Sequence, residues 1–185
     1  MADTTLLKHS DVTAAVFGKP AKGLQPYRRT VTVARAEGKK VDPSWPMAAD
    51  AGDGFYFRPY GENVVASPME DLASTAEDAR PRDSDIELVK ERINRATHLG
   101  LGESVRSWTG LRTISPDGVP VVGWEPGDPT FFWLAGQGGY GIQTSAAMGR
   151  LAASAIVGRE SGLGAEADLA FARLTPARFS SEAAR

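Results

Sequence analysis

Residues 131–144 read FFWLAGQGGYGIQT, and the reading of this stretch decides the fold class. Phe131-Phe132-Trp133-Leu134-Ala135 is a short apolar, aromatic run of the kind that forms a strand. Glycines follow at 136, 138, 139 and 141, and Ser145 to Val157 then has helical spacing and many small residues. The stretch is a strand, a glycine turn and a helix N-terminus. A first helical turn carries unpaired N–H groups and a partial positive charge. Glycine lets a ligand approach the backbone closely. Such a turn suits an anionic group or the electron-rich edge of a ring. Local geometry leaves a second reading open, a tight strand-to-helix connection that holds nothing.

The rest of the composition sets bounds. A chain of 185 residues has room for one domain, or one and a fraction. Hydrophobic residues make up 42%, enough for a core. A net charge of −2 leaves no basic excess for nucleic acid. No apolar run approaches the roughly 20 residues that span a bilayer. The N-terminus has no apolar h-region, so the sequence reads as cytoplasmic, with no transmembrane segment. The absence of cysteine excludes disulfides and thiol catalysis. His9 and His98 stand far apart, outside any metal-ligand spacing, so no metal site is expected.

Along the chain, Ser10 is a candidate cap for a short helix from Asp11 to Phe17. Thr30 to Arg35 alternates and reads as a strand. Trp45-Pro46-Met47 is an apolar anchor in a loop. Gly54 to Arg58 reads as another strand, with Phe55 and Phe57 on one face and Tyr56 and Arg58 on the other. Asn63 to Ser67 is expected to pair with it across a turn. Glu70 to Asp83 reads as an exposed connection. Ser84 to Leu99 is the clearest amphipathic helix, with Ile86, Val89, Ile93 and Ala96 inward and a Ser84–Glu87 capping box. Trp108 to Thr113 and Val119 to Trp124 read as strands joined through Ser115-Pro116-Asp117-Gly118. Gly158 is expected to end the last long helix, and the tail from Gly164 to Arg185 to fray.

Trp108-Thr109-Gly110-Leu111-Arg112, then Asp117-Gly118-Val119-Pro120-Val121-Val122-Gly123, then the strand and glycine turn occur in one order. The run WTGLRTISPDGVPVVGW…FFWLAGQGGYGIQTSAAMGRLAA resembles the C-terminal part of FAD-dependent amine and D-amino-acid oxidoreductases. These include glycine oxidase, sarcosine oxidase and the D-amino-acid dehydrogenases; the wording is most like the D-arginine dehydrogenase branch. The likeness is densest from Trp108 to Val157 and extends more thinly back to Leu24. The family opens with a strand and a GxGxxG turn that holds the FAD pyrophosphate. The one GxGxxG in this chain, Gly136 to Gly141, lies in the run that resembles the family's C-terminal part, and none precedes the substrate-binding sheet. The resemblance therefore implies an α+β fold. It would have a mostly antiparallel substrate-binding sheet with flanking helices, plus the terminal strand and helix of a Rossmann-like FAD-binding domain whose N-terminal half is absent. It divides the chain into an N-terminal helix and linker (1–23), a sheet domain (24–113), the last strands and helix of the FAD domain (114–160) and a tail (161–185).

Oxidising an amine next to a carboxylate requires a fixed carboxylate, a Cα–H facing the flavin and a neutral amine; the flavin does the redox work and the protein orients. The resemblance places four substrate-binding residues. Arg112, in the family's G-L-R motif, is a bidentate carboxylate clamp that lysine cannot imitate; a structural salt bridge is the alternative. Tyr56 falls on the tyrosine of the F-Y-x-x-P strand, which donates its hydroxyl to the carboxylate; a buried tyrosine with a satisfied hydroxyl is the alternative. Arg29 is the second arginine of a pair near the substrate, or else a solvated charge on a strand end. Gln143, in the first helical turn, contacts flavin or substrate. Gly110, Gly138, Gly139, Tyr140, Gly141, Ile142 and Gln143 form the cofactor-binding set, their backbone N–H groups facing the pyrimidine side of FAD. No catalytic acid or base is carried over.

The implied reaction is oxidative deamination of an amino acid or amine to an imino product. Three readings of the chain stand: one subunit of a split enzyme, with an N-terminal-half FAD-binding partner; a truncated product without independent redox activity; or a carboxylate-binding module.

Overall fold

The computed structural model describes residues 22–52 and 54–179. The expected helix from Asp11 to Phe17, its Ser10 cap and His9 lie outside them. The chain divides into two compact units: Tyr27–Leu111, and the residues up to Pro26 together with those from Arg112 onward. The architecture is α+β with antiparallel sheets, as the resemblance implies.

The first unit is a sheet covered on one face by a helix. Its strands are β1 (Gln25–Ala36), β2 (Ala48–Ala49), β3 (Tyr56–Tyr60), β4 (Asn63–Ser67), β5 (Leu72–Ala73) and β6 (Leu101–Ile114). The order is β2-β3-β4-β1-β5, and β6 also pairs with β1. β3 and β4 form the expected hairpin, with Tyr56 opposite Ser67 and Tyr60 opposite Asn63. Helix α1 (Asp83–Ala96) buries Ile86, Val89 and Ile93. Val89 and Ile93 join Ala34, Val64, Ala66, Leu99 and Leu101 in one core, with Trp45, Phe55 and Phe57 packed against it. The alternation in β3 is as read: Phe57 turns to this core and Tyr56 to the opposite face.

Two local expectations fail in this unit. The Ser84–Glu87 capping box is absent, because the helix begins earlier, at Asp83, and Arg82 is the N-cap without a side-chain bond. Ser84 thus sits inside the first turn and points its hydroxyl at Asp85. Asp83 and Asp85 supply the negative charge that a helix N-terminus favours. Ala96 is exposed, since the helix ends there.

The second unit centres on a hairpin of β7 (Val121–Glu125) and β8 (Asp128–Ala135), paired antiparallel with Val121 opposite Ala135. The strand read at 119–124 is β7, which turns onto β8, its chain neighbour. Trp133 is 2% exposed and packs with Leu24 and Val121. Its indole N–H donates to Glu125 Oε2 at 2.5 Å, and Lys22 Nζ lies 2.7 Å from Glu125 Oε1, so the buried carboxylate is fully used. Helix α2 (Gly141–Val157) follows β8, and Gly158 closes it in the left-handed conformation, its N–H bonded to Ser154 O.

The tail does not fray where it is described. Helix α3 (Ala165–Ala172) and a 3-10 turn (Pro176–Phe179) fold back, and Val122 N–H donates to Leu174 O at 2.8 Å. Arg178 is the clasp. Its Nε donates to Asp117 Oδ2 at 2.7 Å and its Nη2 to Val119 O at 2.7 Å. The Arg178 guanidinium, with the Ser115 hydroxyl and the Val119 N–H, holds the Asp117 carboxyl well below the usual carboxylate range. A depressed folded pKa stabilises above the unfolded value, about 3.9, and that contribution is lost as pH falls toward the folded value. The gap in melting temperature between wild type and Asp117→Asn is therefore expected to be present at neutral pH and to shrink as pH falls below about 4. A gap unchanged by acidification would detach the clasp from Asp117 ionisation.

Candidate functional site

The glycine turn and Arg112 lie together in one unit. Gly136 and Gly138 have φ of +69° and +54°, a region that favours glycine, so the turn's path depends on them. Gly138 N–H donates to Thr113 O at 3.0 Å, which ties the turn to the end of β6, and Tyr140 N–H donates to Gln137 O. Those two amides are engaged in the turn itself. The amides of Gly139, Gly141, Ile142 and Gln143 make no bond among the described residues. They are the open donors at the α2 N-terminus, where Tyr140 provides no side-chain cap. Ile142 is 96% exposed, and Tyr140 and Gln143 are also exposed.

Arg112 packs over this turn. A Cβ built on Gly139 would lie 3.0 Å from Arg112 Nη1 and 3.2 Å from its Cζ. A side chain at 139 would press on this guanidinium, which would have to give by a few tenths of an ångström. Gly110 differs: nothing stands within 4 Å of a Cβ placed there, and its φ is not positive. Among the described residues no contact requires glycine at 110.

Tyr56 lies in the other unit, on the open face of the sheet. It lines a cavity of about 450 Å³ with Val33, Arg58, Tyr60, Arg106 and Trp108. Its hydroxyl has no hydrogen-bond partner among the described residues, unlike a structural tyrosine whose buried hydroxyl is satisfied. Arg29 is in this unit too, and it is not a solvated strand end. It is 8% exposed, and its Nη2 lies 2.5 Å from Asp71 Oδ1. Next to it, Thr30 N–H donates to Glu70 Oε1 at 2.5 Å, while burial, reinforced by Asp85, pushes the Glu70 carboxyl up.

Three residues that the sequence reading passed over stand out here. Gln137 has both side-chain amide atoms buried and without a partner, inside the glycine turn. Arg58 follows from Tyr56 by strand parity. Arg106 does not follow from parity at all. Ser104 and Ser107 both reach Thr32 Oγ1, at 3.1 and 2.8 Å. Residues three apart in a regular strand face opposite ways. β6 therefore carries an extra residue between them, a bulge, and Val105 and Arg106 both line the cavity.

The turn offers open amides at the α2 N-terminus and, among the described residues, an orphaned buried side-chain amide at Gln137, groups that suit an electron-rich ring edge. The sequence model of the family described as FAD dependent oxidoreductase matches residues 9–155, and the chain belongs to that family. Among solved structures, its fold is similar to glycine oxidase from Geobacillus kaustophilus, at 24% identity and a TM-score of 0.62 over 80% of this chain and 38% of that one. It is similar to L-proline dehydrogenase from P. horikoshii at 20% identity and 0.71, over 91% and 44%. It is also similar to iminodiacetate oxidase from Chelativorans sp. BNC1 at 17% and 0.66, over 88% and 43%. The chain thus spans less than half the length of each. Among the described residues no helix is long and apolar enough to cross a membrane.

Proposed function

We propose that this chain carries the carboxylate-reading part of a flavin-dependent oxidoreductase that oxidises the C–N bond of an amino acid or amine. The observation that carries this reading is Arg112 lying against Gly139, beside the open amides at the α2 N-terminus. A guanidinium fork matches a carboxylate with two parallel donors. The amides of Gly139, Gly141, Ile142 and Gln143, with the Gln137 side chain, would hold the electron-rich edge of the cofactor's pyrimidine ring. When bound, FAD would accept the two electrons that leave the amine. Tyr56 offers its hydroxyl to a substrate carboxylate in the sheet unit. Arg29 enters in a lesser role, because Asp71 occupies one arm of its guanidinium. D-amino acids are the favoured substrates by resemblance, and the site acts in the cytoplasm.

The chain's one GxGxxG, Gly136 to Gly141, is the turn assigned above to the pyrimidine ring, which leaves no second such turn for the pyrophosphate. FAD retention therefore calls for an FAD-binding half with its own glycine turn, from a partner or an adjoining segment. α2 supports such a partner: Ile142, Ile156 and Val157 are all more than half exposed on an otherwise apolar helix. The chain purified alone is expected to be colourless and to lose added FAD on dialysis. A few neutral hydrogen bonds contribute about 0.5–1.5 kcal/mol each, too little once association is paid for. Co-expressed with an FAD-binding half from a relative, it should co-purify yellow. Stoichiometric FAD on the chain alone would contradict the shared-cofactor reading, and a colourless complex would contradict the flavin reading.

A further inference from the structure

We propose that the groove on the open sheet face holds a second carboxylate, so that the amine this protein takes is an amino or imino dicarboxylate. The proposal rests on the reading that Tyr56 receives one substrate carboxylate, and it adds what the same groove does with the far end of the molecule.

The charge of the groove is one-sided. Arg58 and Arg106 both line it, and no aspartate or glutamate does. Neither guanidinium has an acidic partner among the described residues, whereas Arg28, Arg29, Arg35, Arg95 and Arg178 are all ion-paired. Two like charges lining one groove without a counter-charge leave an anion as the complementary occupant. Apart from Asn63 and the tyrosine hydroxyls, the rest of the lining is apolar and aromatic, with Val31, Val33, Val65 and Trp108. It therefore suits a carbon chain ending in a carboxylate better than a fully hydrated inorganic ion.

The backbone shows how the charges come to be there. Tyr56 and Arg58 are alternate residues on one face of β3, about 7 Å apart along the strand. A glutamate-length molecule spans that distance between its two carboxylates. Arg106 reaches the groove only because of the β6 bulge, which turns Val105 and Arg106 to the same side. A bulge that re-aims one side chain into a cavity is a recurrent way to furnish a site. Its guanidinium is then steadied over the Trp108 ring, with Cζ 5.3 Å from the ring centre, so its planar fork loses little freedom on binding.

Racemic glutamate and racemic glutamine make the test, since they differ in the far group and hardly in shape. Binding to the full chain is followed by titration calorimetry and by the fluorescence of Trp108, using Trp108→Phe to isolate its signal. Glutamate is expected to bind at least about fivefold more tightly than glutamine, a modest factor because the arginines are exposed. Arg58→Gln and Arg106→Gln are each expected to abolish that preference and to leave glutamine binding unchanged. Tyr56→Phe should weaken both ligands alike and keep the preference. Equal binding of the two ligands, or a preference that survives both arginine changes, would overturn the dicarboxylate proposal. Sulfate competing as well as glutamate would overturn it in favour of a general anion patch, and so would no detectable binding of either amino acid. A Tyr56→Phe variant that binds both ligands as wild type does would instead remove the Tyr56 reading beneath it.

Discussion

Arg112→Lys is expected to lower kcat/KM for a carboxylate-bearing amine about ten- to a hundredfold, because one charge-assisted hydrogen bond is worth roughly 1.5–3 kcal/mol. The measurement is made on enzyme assembled with an FAD-binding half. Lysine keeps the positive charge but loses the planar fork, so the second donor to the carboxylate is gone. Arg112 lies against Gly139, and a lysine would give up part of that contact. Flavin content should hold, since the turn's own bonds, Gly138 N–H to Thr113 O and Tyr140 N–H to Gln137 O, do not involve the side chain. An amine lacking a carboxylate should be nearly indifferent to the change. A variant that keeps wild-type efficiency, or that loses flavin instead, would make Arg112 a structural residue.

The second large effect concerns stability. Ile93→Ala is expected to cost about 2–5 kcal/mol, the range for emptying a fully buried aliphatic position. Ile93 is 0% exposed and packs in the core that joins α1 to β1 and β4. In a unit of this size each kcal/mol lowers the melting temperature by roughly 4–8 °C. Thermal unfolding followed by circular dichroism should thus show a drop of more than about 8 °C. Ala96→Ser, on the exposed last turn of the same helix, should change little. Equal effects from the two substitutions would mean that α1 does not pack as described.

The elements with strong periodicity were legible in the sequence. The 3–4 spacing of Ile86, Val89 and Ile93 marks the buried face of α1, and the alternation from Phe55 to Arg58 sorts that strand into a core face and an open face. The strand, turn and helix around Gly136–Gly141 follow from composition alone. Features that depend on distant partners were not legible. The capping box failed because the chain entered the helix at Asp83, a choice made by tertiary contacts such as Asp85 with Thr30. The tail looks polar, yet Arg178 finds Asp117 some sixty residues away in sequence. The solvated-charge alternative for Arg29 could not be dismissed from sequence, because Asp71, its partner, lies beyond any local window. Arg106 was hidden for a different reason: one inserted residue in β6 reverses the parity on which strand reading depends.

The most direct test of the central claim is anaerobic reduction of the assembled enzyme. The chain is purified in complex with an FAD-binding half, oxygen is removed, and an amino acid is added while the flavin's visible absorbance is recorded. The account predicts fast bleaching by the amino acid, much slower bleaching by its decarboxylated amine at the same concentration, and an Arg112→Lys variant slowed with the amino acid but not with the amine. A flavin that stays oxidised with every amino acid and amine tried, in a complex that binds FAD, would contradict it.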